Sequence, residues 1–187
     1  MLQVVAQLRQ HGHVGQPALA EELRFRRKQA GHLQSKGRFL AAQVLALFPL
    51  MSPGSEIVAA SRLYGGSLQQ MRNTYPKFGW KADIVGADQT ENFKRAVTDK
   101  TKAFFIESLA NPGGVISDIE AIARIAEEAG VPLIVDNTLA SPLLCQPFKW
   151  GADIVVHSCT KFIGGHSDLM MGVVVVADDD DDRFRRL

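Results

Sequence analysis

Between Leu40 and Ala177 the chain alternates short, uniformly apolar runs with helical patterns, and this alternation narrows the possible architectures more than any other feature. Strands are expected at Glu56–Ala60, Ala82–Val85, Ala103–Glu107, Pro132–Val135, Asp153–His157 and Gly172–Ala177. Helices are expected at Leu40–Phe48, Gly66–Tyr75, Thr90–Val97 and Asp118–Ala129. The clearest is "DIEAIARIAEEAG": Ile119, Ile122, Ala123 and Ala126 share one face, Ser117 or Asp118 caps the start, and Gly130 ends it. Strands this apolar are buried on both faces. Strands separated by helices make βαβ units, so the expected fold class is α/β: a three-layer α/β/α domain around a mostly parallel sheet.

The flanks have a different texture. Residues 1–40 carry seven of the 21 basic and two of the 20 acidic residues, a net charge of +5 against −4 for the rest. Only Gln16–Ala30 carries a weak helical signal there, and from Ala6 to Arg38 nothing but Val14 has a strand's composition. The run "RFRRKQ", with Arg24, Arg26, Arg27 and Lys28, has no recognised nucleic-acid fold around it; it reads as a solvated segment, and no nucleic-acid partner is expected. His11 and His13 lack a third ligand, so no metal site is expected. Asp178–Asp182 has neither the glycine turn nor the spaced ligands of a calcium loop and reads as a disordered end. No helix follows Val173–Val176, so that strand is expected to lack a covering layer and to leave apolar surface exposed. The longest apolar stretch, Phe39–Met51, is too short to span a membrane and contains Gln43 and Pro49. Cys145 and Cys159 fit no metal or redox spacing, and no secretory leader is evident; cytoplasmic residence is the expectation.

Functional groups in such sheets gather at the carboxyl ends of the parallel strands. Four polar sets fall there: Tyr64-Gly65-Gly66-Ser67; Glu107 with Asn111-Pro112-Gly113-Gly114; Asp136-Asn137-Thr138; and His157-Ser158-Cys159-Thr160-Lys161. An acid ending a buried strand keeps its charge only when paired, and Lys161 is the obvious nearby cation. Two other uses of these groups exist. A lysine in a partly apolar pocket attacks a carbonyl to form an imine. An aspartate can hold the protonated ring nitrogen of pyridoxal phosphate. In extended geometry Ser158 and Thr160 point the same way and Cys159 the other, which suits an oxyanion beside Lys161. Tyr64 is placed to cover a ring by stacking. His157 and His166 read as structural residues.

The stretches "PGSEIVAASRLYGGS", "AFFIESLANPGGVISDI", "GVPLIVDNTLASP" and "GADIVVHSCTKFIGGHSD" resemble the Cys/Met-metabolism family of pyridoxal-phosphate enzymes. That family includes cystathionine synthases and lyases, methionine gamma-lyase and O-acetylhomoserine sulfhydrylase. The resemblance implies an incomplete large domain of the type I pyridoxal-phosphate transferase fold over residues 40–177, with pyridoxal 5'-phosphate as cofactor. Residues 1–39 are an unmatched basic segment and 178–187 an acidic and basic tail. By the resemblance Lys161 is the imine lysine, Asp136 holds the ring nitrogen, and Tyr64 stacks on the ring. Ser158 and Thr160 bind the phosphate, Asn111 lies near the ring hydroxyl, and Thr138 packs against the ring. "ESLANPGG" and "DNTLASP" look most like O-acetylhomoserine sulfhydrylases, whereas "GGHSD" looks more like the lyases. The implied reaction is γ-replacement on O-acetylhomoserine by sulfide or a thiol, with a γ-lyase as the alternative, in a homo-oligomer.

Three departures accompany the match. The family's N-terminal Tyr-x-Arg pair has no counterpart, since Tyr64 and Tyr75 are the only tyrosines. Arg38 and Phe39 stand where the family has a phosphate-binding Ser-Gly turn, with Gly37 out of register. The family's C-terminal domain, with its arginine for the substrate carboxylate, has no match after Val176. The expectation from these is a broken copy, with a shifted reading frame upstream of about Leu40 and truncation after about Ala177, of weak or no activity alone. The other reading is a non-catalytic fragment that keeps only the cofactor cradle.

Overall fold

The computed structural model describes residues 5–7 and 38–177. The expectations for Gln16–Ala30, His11 and His13, "RFRRKQ" and Asp178–Asp182 lie outside the described residues.

The strands are β1 (Val5–Gln7), β2 (Glu56–Ala60), β3 (Lys81–Val85), β4 (Thr101–Glu107), β5 (Leu133–Asp136), β6 (Ile154–Ser158) and β7 (Gly172–Val176). The helices are α1 (Arg38–Leu47), α2 (Gly65–Asn73), α3 (Glu91–Ala96), α4 (Ile119–Ala129) and α5 (Ser141–Leu144). One sheet runs in the order β1-β7-β6-β5-β4-β2-β3, and every neighbouring pair is parallel except β6 with β7. The mostly parallel α/β fold is as expected. β5 and β6 are buried along their whole length, so alternate side chains go to opposite faces and both faces are covered. α1 packs on α2, and α3 on α4, which completes the layers.

Local chemistry explains most boundaries. The Asp118 carboxylate accepts the Ala121 N–H at 3.0 Å and caps α4, and Gly130 closes it in the left-handed region at φ 66°. Such a cap contributes about 1 kcal/mol. The buried stripe of α4 is Ile119, Ile122, Ala123, Ile125 and Ala126. α2 stops at Asn73, short of the expected Tyr75, because Pro76 cannot continue an α-helix; a 3-10 turn over Tyr75–Phe78 takes its place. That turn buries Tyr75 edge-on against Trp80, with ring centroids 5.5 Å apart. Phe104 of β4 meets Phe93 of α3 at 5.4 Å in the centre of the core.

Two expectations are corrected. The strand Val173–Val176 is not bare: all four valines are buried, because α1 packs against β6 and β7 and because β1 pairs with β7 at the edge. β1 itself runs from Val5 into the segment from Ala6 read as having no strand, since a three-residue strand owes its existence to a distant partner and not to its own composition. No helix among the described residues is long and apolar enough to cross a membrane.

Candidate functional site

β4, β5 and β6 end side by side, with Glu107 opposite Asp136 and Asp136 opposite Val156 in the sheet register. Beyond those ends lies a pocket of about 310 Å³, lined by Tyr64, Glu107, Asn111, Asp136, Thr138, Ser158, Thr160 and Lys161 among others. This is a volume suited to a small ligand. All seven candidate residues from the sequence therefore reach one cavity.

Asp136 is only 3% exposed at the pocket floor. Its Oδ1 accepts both the Thr138 hydroxyl and the Thr138 N–H, the latter at 3.0 Å. Burial pushes its pKa up to about 7; the Thr138 hydroxyl opposes the rise and the neighbouring Glu107 charge adds to it. Glu107 is likewise raised by burial, against the pull of the Tyr64 and Asn111 N–H groups. Neither carboxylate joins an ion pair among the described residues, so of the uses open to Asp136 and Lys161 the direct pairing is not made. Two buried acids at one pocket wall form a site that favours a cationic guest.

The other wall carries hydroxyls. Ser158 is the last residue of β6, and its N–H donates to Thr138 Oγ1 at 2.8 Å. Thr160 lies in the turn after the strand, so it reaches the pocket with Ser158 through the turn and not through strand alternation, while Cys159 is buried behind them. Thr160 Oγ1 accepts the Met171 N–H at 3.1 Å and ties down the return toward β7. Lys161 is exposed; its N–H donates to the Ser158 carbonyl at 3.0 Å and its carbonyl accepts the Gly165 N–H at 2.8 Å, which fixes the turn beneath it. Leu40, in the first turn of α1, also lines the cavity. Tyr64 is the N-cap residue of α2, with its side chain 45% exposed at the pocket mouth.

Sequence reading places Glu107 at this edge but assigns it no part. Its signal was there, an acid closing a largely buried strand, but its partners are backbone groups that no residue type betrays. His157 faces away from the hydroxyl wall; burial pushes it down to about 4, and its ring Nδ1 is buried without a hydrogen-bond partner. No His, Cys, Asp and Glu group suited to a metal ion occurs among the described residues.

A family model described as Cys/Met metabolism PLP-dependent enzyme matches residues 23–186. An O-acetyl-L-homoserine sulfhydrylase of Leptospira meyeri is 48% identical over 72% of this chain and 30% of its own length. A homocysteine/cysteine synthase of Saccharomyces cerevisiae is 43% identical over 72% of this chain and 30% of its own. A Campylobacter jejuni crystal structure that contains N'-pyridoxyl-lysine-5'-monophosphate superimposes with a TM-score of 0.75, at 34% identity, over 80% of this chain and 38% of that one. A cystathionine gamma-lyase from Lactobacillus plantarum, complexed with L-serine, superimposes with a TM-score of 0.71 at 36% identity, over 74% of this chain and 36% of that one. The chain thus spans about a third of the length of the curated relatives it matches.

Proposed function

The chain belongs to the Cys/Met metabolism family of PLP-dependent enzymes, and from that premise we propose that its pocket holds pyridoxal 5'-phosphate for γ-replacement on an O-acylated homoserine. One observation carries this reading: Asp136 is buried without an ion-pair partner among the described residues, in the same pocket as Lys161. A carboxylate so placed fits the protonated nitrogen of a pyridine ring, and the hydroxyls of Ser158 and Thr160 fit a phosphate.

In this proposal Lys161 is the covalent attachment point, Asp136 holds the ring nitrogen, and Tyr64 covers the ring. Ser158 and Thr160 take the phosphate, Asn111 lies near the ring hydroxyl, and Thr138 packs against the ring while keeping Asp136 oriented. When bound, the cofactor supplies an electron sink for the carbon bearing the substrate amine. With the substrate amine in place, the Lys161 side chain would take and return protons at the α and β carbons. The net change replaces the acetoxy group on the γ carbon of O-acetylhomoserine by sulfide or a thiol, releasing acetate and giving homocysteine or methionine. A homo-oligomer and cytoplasmic residence belong to the same proposal.

The test is absorption of the purified chain with added pyridoxal phosphate, followed by borohydride reduction and peptide mapping. A reduction-stable pyridoxyl label confined to Lys161, and absent from Lys161→Ala, is expected. A folded chain with no label, or with label scattered over surface lysines, would overturn the assignment.

A further inference from the structure

Glu107 is 3% exposed, ends the interior strand β4, and spends both carboxylate oxygens on backbone groups of two different loops. Oε1 accepts the N–H of Tyr64, from the connection between β2 and α2. Oε2 accepts the N–H of Asn111, four residues along its own chain, at 3.0 Å. The base of this arrangement is itself tied: the Ser117 hydroxyl donates to the Glu107 carbonyl at 2.6 Å, and the Ser117 N–H donates to the Ser108 carbonyl at 3.2 Å. We propose that Glu107 is a positioning residue that clamps these two loops together, and so sets where the Tyr64 ring and the Asn111 side chain meet a ligand in the pocket.

A carboxylate is suited to this task. It accepts at both oxygens, so one side chain satisfies two donors whose loops share no direct backbone bond. Hydrogen bonds to an ionised acceptor are about twice as strong as neutral ones, which favours an acid here despite its burial. An amide is the same shape but can accept at only one end, and its NH2 would face an N–H. The clamp also has an electrostatic side. Glu107 and Asp136 are register partners, and the first raises the proton affinity of the second. The ionisable groups around the pocket are Tyr64, Glu107, Asp136 and Lys161. Glu107 therefore sets the place of two contacts and adds to the rise that burial gives a third group, Asp136. The roles of Tyr64 and Asn111 toward a ligand rest on the function proposed above; the clamp itself does not.

The experiment follows amide hydrogen exchange in the full chain, without added cofactor, for the original protein, Glu107→Gln and Glu107→Asp. In the original, the Tyr64 and Asn111 amides are expected to be protected. In Glu107→Gln one of the two loses at least tenfold protection, while amides of β6 such as Val155 and Val156 keep theirs. In Glu107→Asp, with a shorter reach, the two amides are not both held. A second readout is the carboxyl carbon resonance of Asp136, whose titration midpoint is expected to fall in Glu107→Gln and stay up in Glu107→Asp. Unprotected Tyr64 and Asn111 amides in the original chain would overturn the proposal even if both variants failed to fold. So would a Glu107→Gln variant with unchanged exchange at both. Failure of pyridoxal phosphate to bind the original chain would sink the proposed function and leave these readings intact.

Discussion

The Thr138 hydroxyl accepts the N–H of Ser158 at 2.8 Å and donates its own proton to Asp136, so one oxygen joins the ends of β5 and β6. Thr138→Val deletes both bonds at nearly constant volume. Asp136 loses a group that holds its pKa down, so its midpoint is expected to rise above about 7. The Ser158 N–H is left without an acceptor, a cost of about 1–3 kcal/mol. Thr138→Ser should restore both. Carboxyl NMR titration and urea unfolding check the two effects separately, and an unmoved Asp136 midpoint in Thr138→Val would refute the bridge.

Asp136 should make stability depend on pH with a definite sign. Its ordinary value is 3.8 and burial lifts it to about 7. Between those values the folded chain holds a proton that the unfolded chain has released, so stability falls as pH rises through this window and levels off above about 7. Glu107, also raised by burial, acts in the same direction. His157 opposes them: pushed from 6.5 down to about 4, it adds stability as pH rises between those values. Asp136→Asn removes the first contribution, so the variant should exceed the original at pH 8 by something on the order of 4 kcal/mol, shrinking toward pH 4. Urea unfolding at both pH values measures this, and the same variant should lose affinity for pyridoxal phosphate. A difference independent of pH would mean that Asp136 titrates as an ordinary carboxylate.

Gly66 keeps room for the Tyr64 ring. A Cβ at position 66 would stand 2.5 Å from Tyr64 Cε1. In Gly66→Ala the ring must swing, because it is the mobile partner and the helix is not. Alanine is the better helix former by about 1 kcal/mol, so the variant should be as stable as the original or slightly more so. The stacking contact is worth about 0.5–1.5 kcal/mol, so pyridoxal phosphate affinity should fall severalfold and approach that of Tyr64→Ala. Thermal unfolding beside a cofactor titration decides the matter: full affinity in Gly66→Ala would show that the ring takes no part.

Gly164 meets a harder wall. A Cβ there would stand 2.7 Å from the Cys159 carbonyl oxygen and 2.9 Å from Leu169 Cδ2. The same carbonyl accepts the Gly164 N–H at 2.7 Å, which closes the turn holding Lys161. Gly164→Ala should therefore cost about 1–3 kcal/mol of stability and lower the yield of pyridoxyl label on Lys161. Unchanged urea midpoint and label yield would count against a rigid turn.

Much of this arrangement is legible in the residues themselves, for physical reasons. β2 falls at Glu56–Ala60, as its composition predicts, and α4 is framed by its own cap and its own glycine. Strand ends could be named because a buried apolar run must stop where its polar residues begin, and this placed Tyr64, Asn111, Asp136, Thr138, Ser158, Thr160 and Lys161 at one pocket. What was hidden depends on partners far along the chain. β1 exists through β7, the covering of Val173–Val176 comes from a helix far earlier in the chain, and Glu107 acts on backbone N–H groups that look alike in any sequence. α5 was hidden for a local reason: it opens on Ser141 at φ 60°, a conformation that serine seldom adopts.

The reversal of β7 has a consequence for how Lys161 is held. Ser158 and Gly172 face each other in the antiparallel pair, so the segment that carries Lys161 leaves and re-enters the sheet at adjacent points. Thr160 fastens its far end by holding the Met171 N–H. Between the Gly165 contact and that fastening, the segment runs like the bight of a rope knotted at its base. Its knot keeps the lysine in place, because the turn contacts of Lys161 and the Thr160 fastening lie at the two ends of the segment and not in its middle.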